Sequence, residues 1–350
     1  LTTRRCLYLY IMIYQTVVAL AVLASASAVL YTSDPTHQKH MWETFKNEYN
    51  RKYTTMEEEA QRFGFFLENL KNADIRNENE RKAGGTALHG ITKFSDVSQA
   101  EFAARYLTAD PSMKTPISQR ENLMTNLKPP SATAGLVDWT GKYTTPVKNQ
   151  GYCGGCWAFS ATEQLESDGM RTLNTDYILG PEQSIQCDKT SQGCNGGWTE
   201  HAYNYIKSAG GQETEASYPY TSYSGTTGSC HVNSNQFVVK LKSYTTVTGS
   251  STSEAEANMA FYVQNTGPLS VCLDASTWNS YTGGIMSSCG NSVDHCVQAV
   301  GVDTSGSSPY WKVRNQWGTS WGESGFIQLA YGQNTCDITN DPTWVTVANM

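Results

Sequence analysis

The chain has 350 residues, a net charge of −7, 39% apolar residues and 16% charged residues. That is enough chain for a sizeable core plus an accessory segment. It contains no Lys/Arg-rich run, which argues against nucleic acid as a partner.

Arg4 and Arg5 precede an apolar run from Cys6 to Leu30 that closes on Ala24-Ser25-Ala26-Ser27-Ala28. A basic start, an apolar centre and small residues at the exit predict a secretory signal peptide over residues 1–28. Met12 is an alternative start that leaves a workable signal, and the length of the run also fits an uncleaved signal anchor. Residues 37–107 carry no cysteine and are densely charged. Trp42 to Lys46 and Glu57 to Asn79 are predicted helices, with Phe63, Phe66, Leu70 and Ala73 at helical spacing. Gly84-Gly85 interrupts the pattern, and Leu88 to Phe94 alternates as a short strand. Residues 108–135 lack periodicity and hold Pro111, Pro116, Pro129 and Pro130, the pattern of an exposed linker open to proteolytic nicking.

From Val137 the composition shifts to Gly, Tyr, Trp and Cys. Helices are predicted over 156–170 and 200–209. Strands are predicted over Phe237–Leu241, Leu269–Leu273, Cys296–Val302, Tyr310–Arg314 and Gly325–Leu329. A helical half thus precedes a β-rich half. Of ten cysteines, Cys6 lies in the signal and the other nine follow residue 150. In a secreted chain most of these pair, and an odd number leaves one thiol over.

The densest chemical signal is Gln150-Gly151-Tyr152-Cys153-Gly154-Gly155-Cys156-Trp157-Ala158-Phe159-Ser160. A cysteine opening a helix feels the positive end of the macrodipole, which favours thiolate. Zinc would need a second ligand pair at matching spacing, and Cys187 and Cys194 are seven apart. A dithiol redox motif would need a βαβ setting, which is missing. A cysteine nucleophile needs a base and a group that orients the base. His201, His231 and His295 are the histidines of this half. His295 opens an apolar strand, and Asn315 follows another, flanked by Trp317 and Trp321. An amide beside indoles can fix the tautomer and orientation of an imidazole.

With these motifs, Val137–Val347 resembles the papain family, cathepsin L-like branch. The family signature is Cys-Gly-[Ser/Ala]-Cys-[Trp/Tyr] with distant His and Asn. Here Gly155 takes the small-residue place, and Asn-Gln-Trp-Gly-Thr-Ser-Trp-Gly (315–322) and Gly-Cys-Asn-Gly-Gly (193–197) are further matches. Upstream, Glu58, Arg62, Phe66, Asn69 and Asn77, then Gly90, Phe94 and Asp96, resemble the family's pro-segment motifs, with Ala73 and Thr92 as departures. The resemblance implies an α+β, papain-like fold in two domains, a helical left one and a β-barrel-like right one with the active-site cleft between, behind a mostly helical inhibitory pro-domain. The implied boundaries are 29–107 for the pro-domain, 108–131 for a linker with the activation cleavage, and 132–350 for the peptidase domain (132–245 mainly helical, 246–350 mainly β).

The resemblance also implies roles. Cys156 is the nucleophile of a cysteine endopeptidase made as a zymogen, His295 its imidazolium partner, Asn315 the orienting group and Gln150 the oxyanion donor. Trp317 shields the His–Asn contact, and Gly196 and Gly197 let substrate backbone approach. Cys153 pairs with Cys194, Cys187 with Cys230, and Cys289 with Cys336. Cys272 and Cys296 face each other beside the pocket for the second substrate residue. A fourth disulfide between them would leave Cys156 as the single free thiol, against the alternative of two reduced, packed cysteines. Asp341 falls at the base of the same pocket, either as an acceptor for Arg or Lys or as a solvated acid at a Pro turn. The partners implied are peptide and protein substrates and the chain's own pro-segment, with no cofactor, no metal, no nucleic acid and a monomeric state. The secretory route leads to a lysosome-like compartment or outside the cell. A catalytically silent binding protein and a disulfide oxidoreductase are the competing readings.

Overall fold

The computed structural model describes residues 29–128 and 135–350, so the signal at 1–28 and the linker stretch 129–134 lie outside the described residues. Two compact units divide at Lys52. In the first, α1 (Pro35–Glu48) starts on Pro35, with the Asp34 carboxylate accepting from Thr36 N–H. Its Trp42 and Phe45 rings stack at 5.5 Å.

The second unit opens with α2 (Met56–Ala83), longer at both ends than the predicted helix. Thr55 caps its start and Gly84, at φ +76°, ends it. Phe66, Asn69, Leu70, Ala73 and Glu80 form its buried stripe. Only β1 (Leu88–His89) forms where a longer strand was expected, pairing with Tyr281–Gly283. The remainder turns, and α3 (Gln99–Tyr106) follows.

Residues 108–128 differ from the expected exposed linker. Arg120 is buried, and β2 (Leu123–Met124) pairs in parallel with Thr246 and Val247. Such a stretch has no internal periodicity because its partners lie on other elements.

Next come β3 (Leu136–Asp138), α4 (Cys156–Leu173), α5 (Pro181–Cys187), α6 (Thr199–Ala209) and β4 (Gln212–Glu213). The β-rich half holds β5 (Phe237–Val247), α7 (Thr252–Asn265), β6 (Leu269–Leu273), β7 (Tyr281–Gly283), β8 (Ile285–Met286), β9 (His295–Asp303), β10 (Tyr310–Arg314), β11 (Phe326–Ala330) and β12 (Thr343–Asn349). The sheet runs in the order β2-β5-β12-β6-β9-β10-β11-β8, with β3 on β9 and β4 on β5. Among the described residues the right half, expected to be barrel-like, is therefore an open sheet: β8 pairs with β11 and β2 with β5, and no pairing joins the two ends.

One hydrophobic core packs under this sheet around Val271, Val297, Val313 and Ile327. A second surrounds α4 through Phe159, Leu165, Ala202 and Tyr203. Cys156 belongs to neither. It sits in a small third cluster with Trp198, Cys272 and Cys296.

Candidate active site

Cys156 is the first residue of α4, so no helical partner exists for its backbone N–H. Its side chain is buried, and the thiol is pushed up to about 11, chiefly by that burial. The backbone N–H of Cys296 and the hydroxyl of Thr108 face the sulfur and oppose the rise.

Two strands deliver His295 and Asn315. β6 and β9 run antiparallel in a register that sets Leu273 opposite His295 and Cys272 opposite Cys296. β9 and β10 are also antiparallel, so the start of β9 lies beside the end of β10, where Asn315 follows. His295 Nε2 and Asn315 Oδ1 lie 2.9 Å apart. Asn315 Oδ1 also accepts from the backbone N–H of Gln316 at 2.9 Å, which marks it as the oxygen, so His295 must carry its proton on Nε2. Nδ1 is buried, and the backbone of Tyr106 faces the ring. Burial holds His295 down at about 4, against the Asn315 contact. Burial therefore favours the neutral form of both the thiol and the imidazole.

Trp317 lies over this pair. Its ring centre is 4.9 Å from that of His295, and its indole N–H donates to Gln150 Oε1 at 3.1 Å. Gln150 Nε2 therefore faces the other way and donates to the Cys153 carbonyl at 2.9 Å, keeping one N–H in hand. The buried guanidinium of Arg314, just before Asn315, donates to Gln298 Oε1 at 2.7 Å and to the Thr145 carbonyl at 2.7 Å. It also approaches Glu163 of α4 at 3.5 Å, tying the Asn315 strand to the Cys156 helix.

Residues 94–110 pack against these side chains. Ala109 bridges Gly197 in parallel, Asp110 N–H donates to the Gly197 carbonyl at 3.2 Å, and Ala109 N–H donates to the Asp294 carbonyl at 2.9 Å. Gly196, at φ +125°, has no room for a Cβ because the Thr108 carbonyl occupies that place. Phe94, Phe102 and Tyr106 set their edges on Trp317 at 5.3, 5.4 and 5.9 Å. Farther along, Glu80 accepts the backbone N–H groups of Ser287 and Ser288 at 2.9 Å each. Arg76 donates to Asn279 and Ser280 at 2.6 Å each.

Disulfides join Cys153–Cys194, Cys187–Cys230, Cys272–Cys296 and Cys289–Cys336, leaving Cys156 as the free cysteine among the described residues. Asp341 is not at a solvated turn. It is buried in an ion pair with Arg120. Sequence reasoning missed Arg120 and Glu200, which face Asp341 here, and no local pattern around either one signals it. Among the described residues, no group of three or more His, Cys, Asp or Glu gathers to hold a metal ion.

Comparison with known proteins decides the family. The model of the papain family of cysteine proteases matches residues 134–346, and that of the cathepsin propeptide inhibitor domain (I29) matches 42–102. The chain belongs to the papain family of cysteine proteases. It is a cathepsin L-like cysteine endopeptidase with an inhibitory propeptide domain. It is 36% identical to cysteine proteinase A of Leishmania mexicana over 308 residues, covering 87% of this chain and 84% of that one. Digestive cysteine proteinase 1 of Homarus americanus is 37% identical over 318 residues, at 87% and 94% coverage. Among solved structures, digestive procathepsin L2 proteinase from Tenebrio molitor larval midgut superposes with a TM-score of 0.76 at 29% identity, covering 88% of this chain and 99% of that one. The recombinant stem bromelain precursor gives 0.74 at 30% identity, covering 89% and 99%.

Proposed function

We propose that Cys156 is the nucleophile of this peptidase, with His295 as its proton carrier, Asn315 as the group orienting the imidazole and Gln150 as an oxyanion donor. The observation that carries the reading is the one free thiol among the described residues, at the start of α4 beside a strand whose first residue is His295.

In the processed enzyme the cleft is open and the burial that keeps both groups neutral is relieved. The proton of Cys156 then moves to His295 Nδ1, giving thiolate and imidazolium. The thiolate attacks the scissile carbonyl carbon. The resulting oxyanion is met by the free N–H of Gln150 Nε2 and the backbone N–H of Cys156. His295 gives its proton to the leaving amine as the carbon–nitrogen bond breaks, then takes one from the water that opens the acyl-enzyme. Trp317 keeps water from the His295–Asn315 bond. Gly196 and Gly197, which now hold pro-segment backbone, would hold substrate backbone in its place.

The pocket beside the nucleophile, walled by Cys272–Cys296 and Trp198, would receive the second substrate residue, with Asp341 behind it. The same reading puts a signal peptide at 1–28, the inhibitory pro-domain at 29–107 and the activation cleavage within 108–131, ahead of a monomeric peptidase domain. The signal pattern and four disulfides favour a secretory route, to a lysosome-like compartment or to the outside. Cys156→Ala tests the assignment of the nucleophile. The variant precursor should fold and keep its propeptide but neither process itself nor cleave peptides; peptide cleavage by that variant would refute the assignment.

A further inference from the structure

Arg120 lies in a stretch whose composition gives no reason for a buried side chain, yet its guanidinium has no exposed surface. Nη1 donates to Asp341 Oδ1 at 2.5 Å and to Thr246 Oγ1 at 2.7 Å, and Nε donates to the Thr115 carbonyl at 3.0 Å. Nη2 lies 2.5 Å from Glu200 Oε1. Asp341 Oδ2 accepts the indole N–H of Trp198 at 2.7 Å, and Glu200 Oε2 accepts Thr115 N–H at 2.7 Å.

Two fully buried carboxylates from separate elements, α6 and the turn before β12, thus converge on one guanidinium. Without it they would face each other across a site whose remaining donors are the Trp198 indole, the Thr246 hydroxyl and the Thr115 N–H. Even with Arg120 in place, burial and then the Asp341 carboxylate push the Glu200 acid up. A second cation of the same stretch, Lys114, is bonded elsewhere, to Asn340. A planar guanidinium can address two carboxylates in different directions at once, which a point-like ammonium does poorly.

The site also has access to the chemistry. Trp198, which holds Asp341, belongs to the cluster of Cys156, Cys272 and Cys296, where Met113 of the pro-segment packs. The acid pair therefore lies behind the wall of the pocket next to the nucleophile.

We propose that Glu200 and Asp341 form a binding site for a single guanidinium, filled in the precursor by Arg120 and in the processed enzyme by an arginine side chain of the substrate. The proposal rests on the protease reading above. It adds Glu200 as a specificity residue, selects arginine over lysine and makes Arg120 an occupant that must leave before such a substrate can enter.

The test uses the processed enzyme, wild type and Glu200→Gln. Hydrolysis of Arg-Arg, Lys-Arg and Leu-Arg fluorogenic peptides is measured alongside binding of a fluorescent peptide spanning residues 108–124 and its Arg120→Ala counterpart. The expected results are an Arg-Arg to Leu-Arg ratio of kcat/KM lowered at least about tenfold by Glu200→Gln, and a Kd for the Arg120→Ala peptide at least about tenfold weaker. An unchanged ratio, or equal binding of the two peptides, overturns the proposal. Should Glu200→Gln fail to fold, seen as loss of Leu-Arg cleavage, the peptide pair on wild type decides. Should wild type cleave nothing, the protease reading fails, and binding of the peptide pair still decides the guanidinium site.

Discussion

Trp317 donates its indole N–H to Gln150 Oε1 at 3.1 Å, and this bond decides which end of the Gln150 amide is left as a donor. The consequence is kinetic. Gln150→Ala removes one oxyanion donor and should lower kcat by about 10²–10³ in the processed enzyme. Trp317→Phe keeps a ring over His295 but frees the amide to turn. Its kcat should fall by about tenfold, the effect of losing one hydrogen bond. Steady-state kinetics on a single fluorogenic peptide checks both.

The precursor should lose stability in acid through His295. Its pKa is held at about 4 against an ordinary 6.5, mainly by burial. The unfolded chain therefore takes up a proton first, so this contribution is present above pH 6.5 and is lost as pH falls through 4. His89, held at about 3 by burial and then by Arg76, acts in the same direction. The unfolding midpoint of the precursor should drop across that window, and His295→Asn should flatten part of the drop. An equal slope in the variant would contradict the assignment.

Glu80 offers a separate handle on latency. Its carboxylate accepts two backbone N–H groups from the 287–288 turn, and burial raises its pKa. Glu80→Ala strands those donors, at a cost of about 1.5–3 kcal/mol in pro-segment docking. The variant precursor should convert to the processed form faster, and at a higher pH, than wild type, as followed by gel.

The Cys272–Cys296 bridge closes a separation of 24 residues across β6 and β9. Replacing both cysteines by alanine should cost about 3 kcal/mol in unfolding free energy, measured by denaturant titration. The unreduced wild type, with four bridges, should weigh eight hydrogens less than the reduced chain. A deficit of six would remove this bridge.

Much of the candidate site was legible because the proposed chemistry demands particular residue types in fixed local settings. Cys156 at a helix start, His295 at a strand start and the Trp-flanked Asn315 all stand out within short windows. Helix α7 did not, although its cap is written in Ser251 and Glu254, where Ser251 Oγ accepts the Glu254 N–H at 3.2 Å. It lies among strands, and its helical stripe is blurred by buried polar residues such as Glu256 and Asn258. Arg120 was illegible for a different reason. Its partner Asp341 is 221 residues away, and neither residue's neighbours constrain the other. The open sheet was hidden likewise, since strand order is a property of distant pairings.

The most direct test of the account is active-site titration with an epoxide that alkylates thiolates, on the precursor and on the acid-processed protein. The account predicts one equivalent bound at Cys156 after processing, in step with loss of peptide hydrolysis, and slow labelling before it, where burial holds the thiol near 11. Labelling at any other cysteine, or full hydrolysis with Cys156 alkylated, would contradict it.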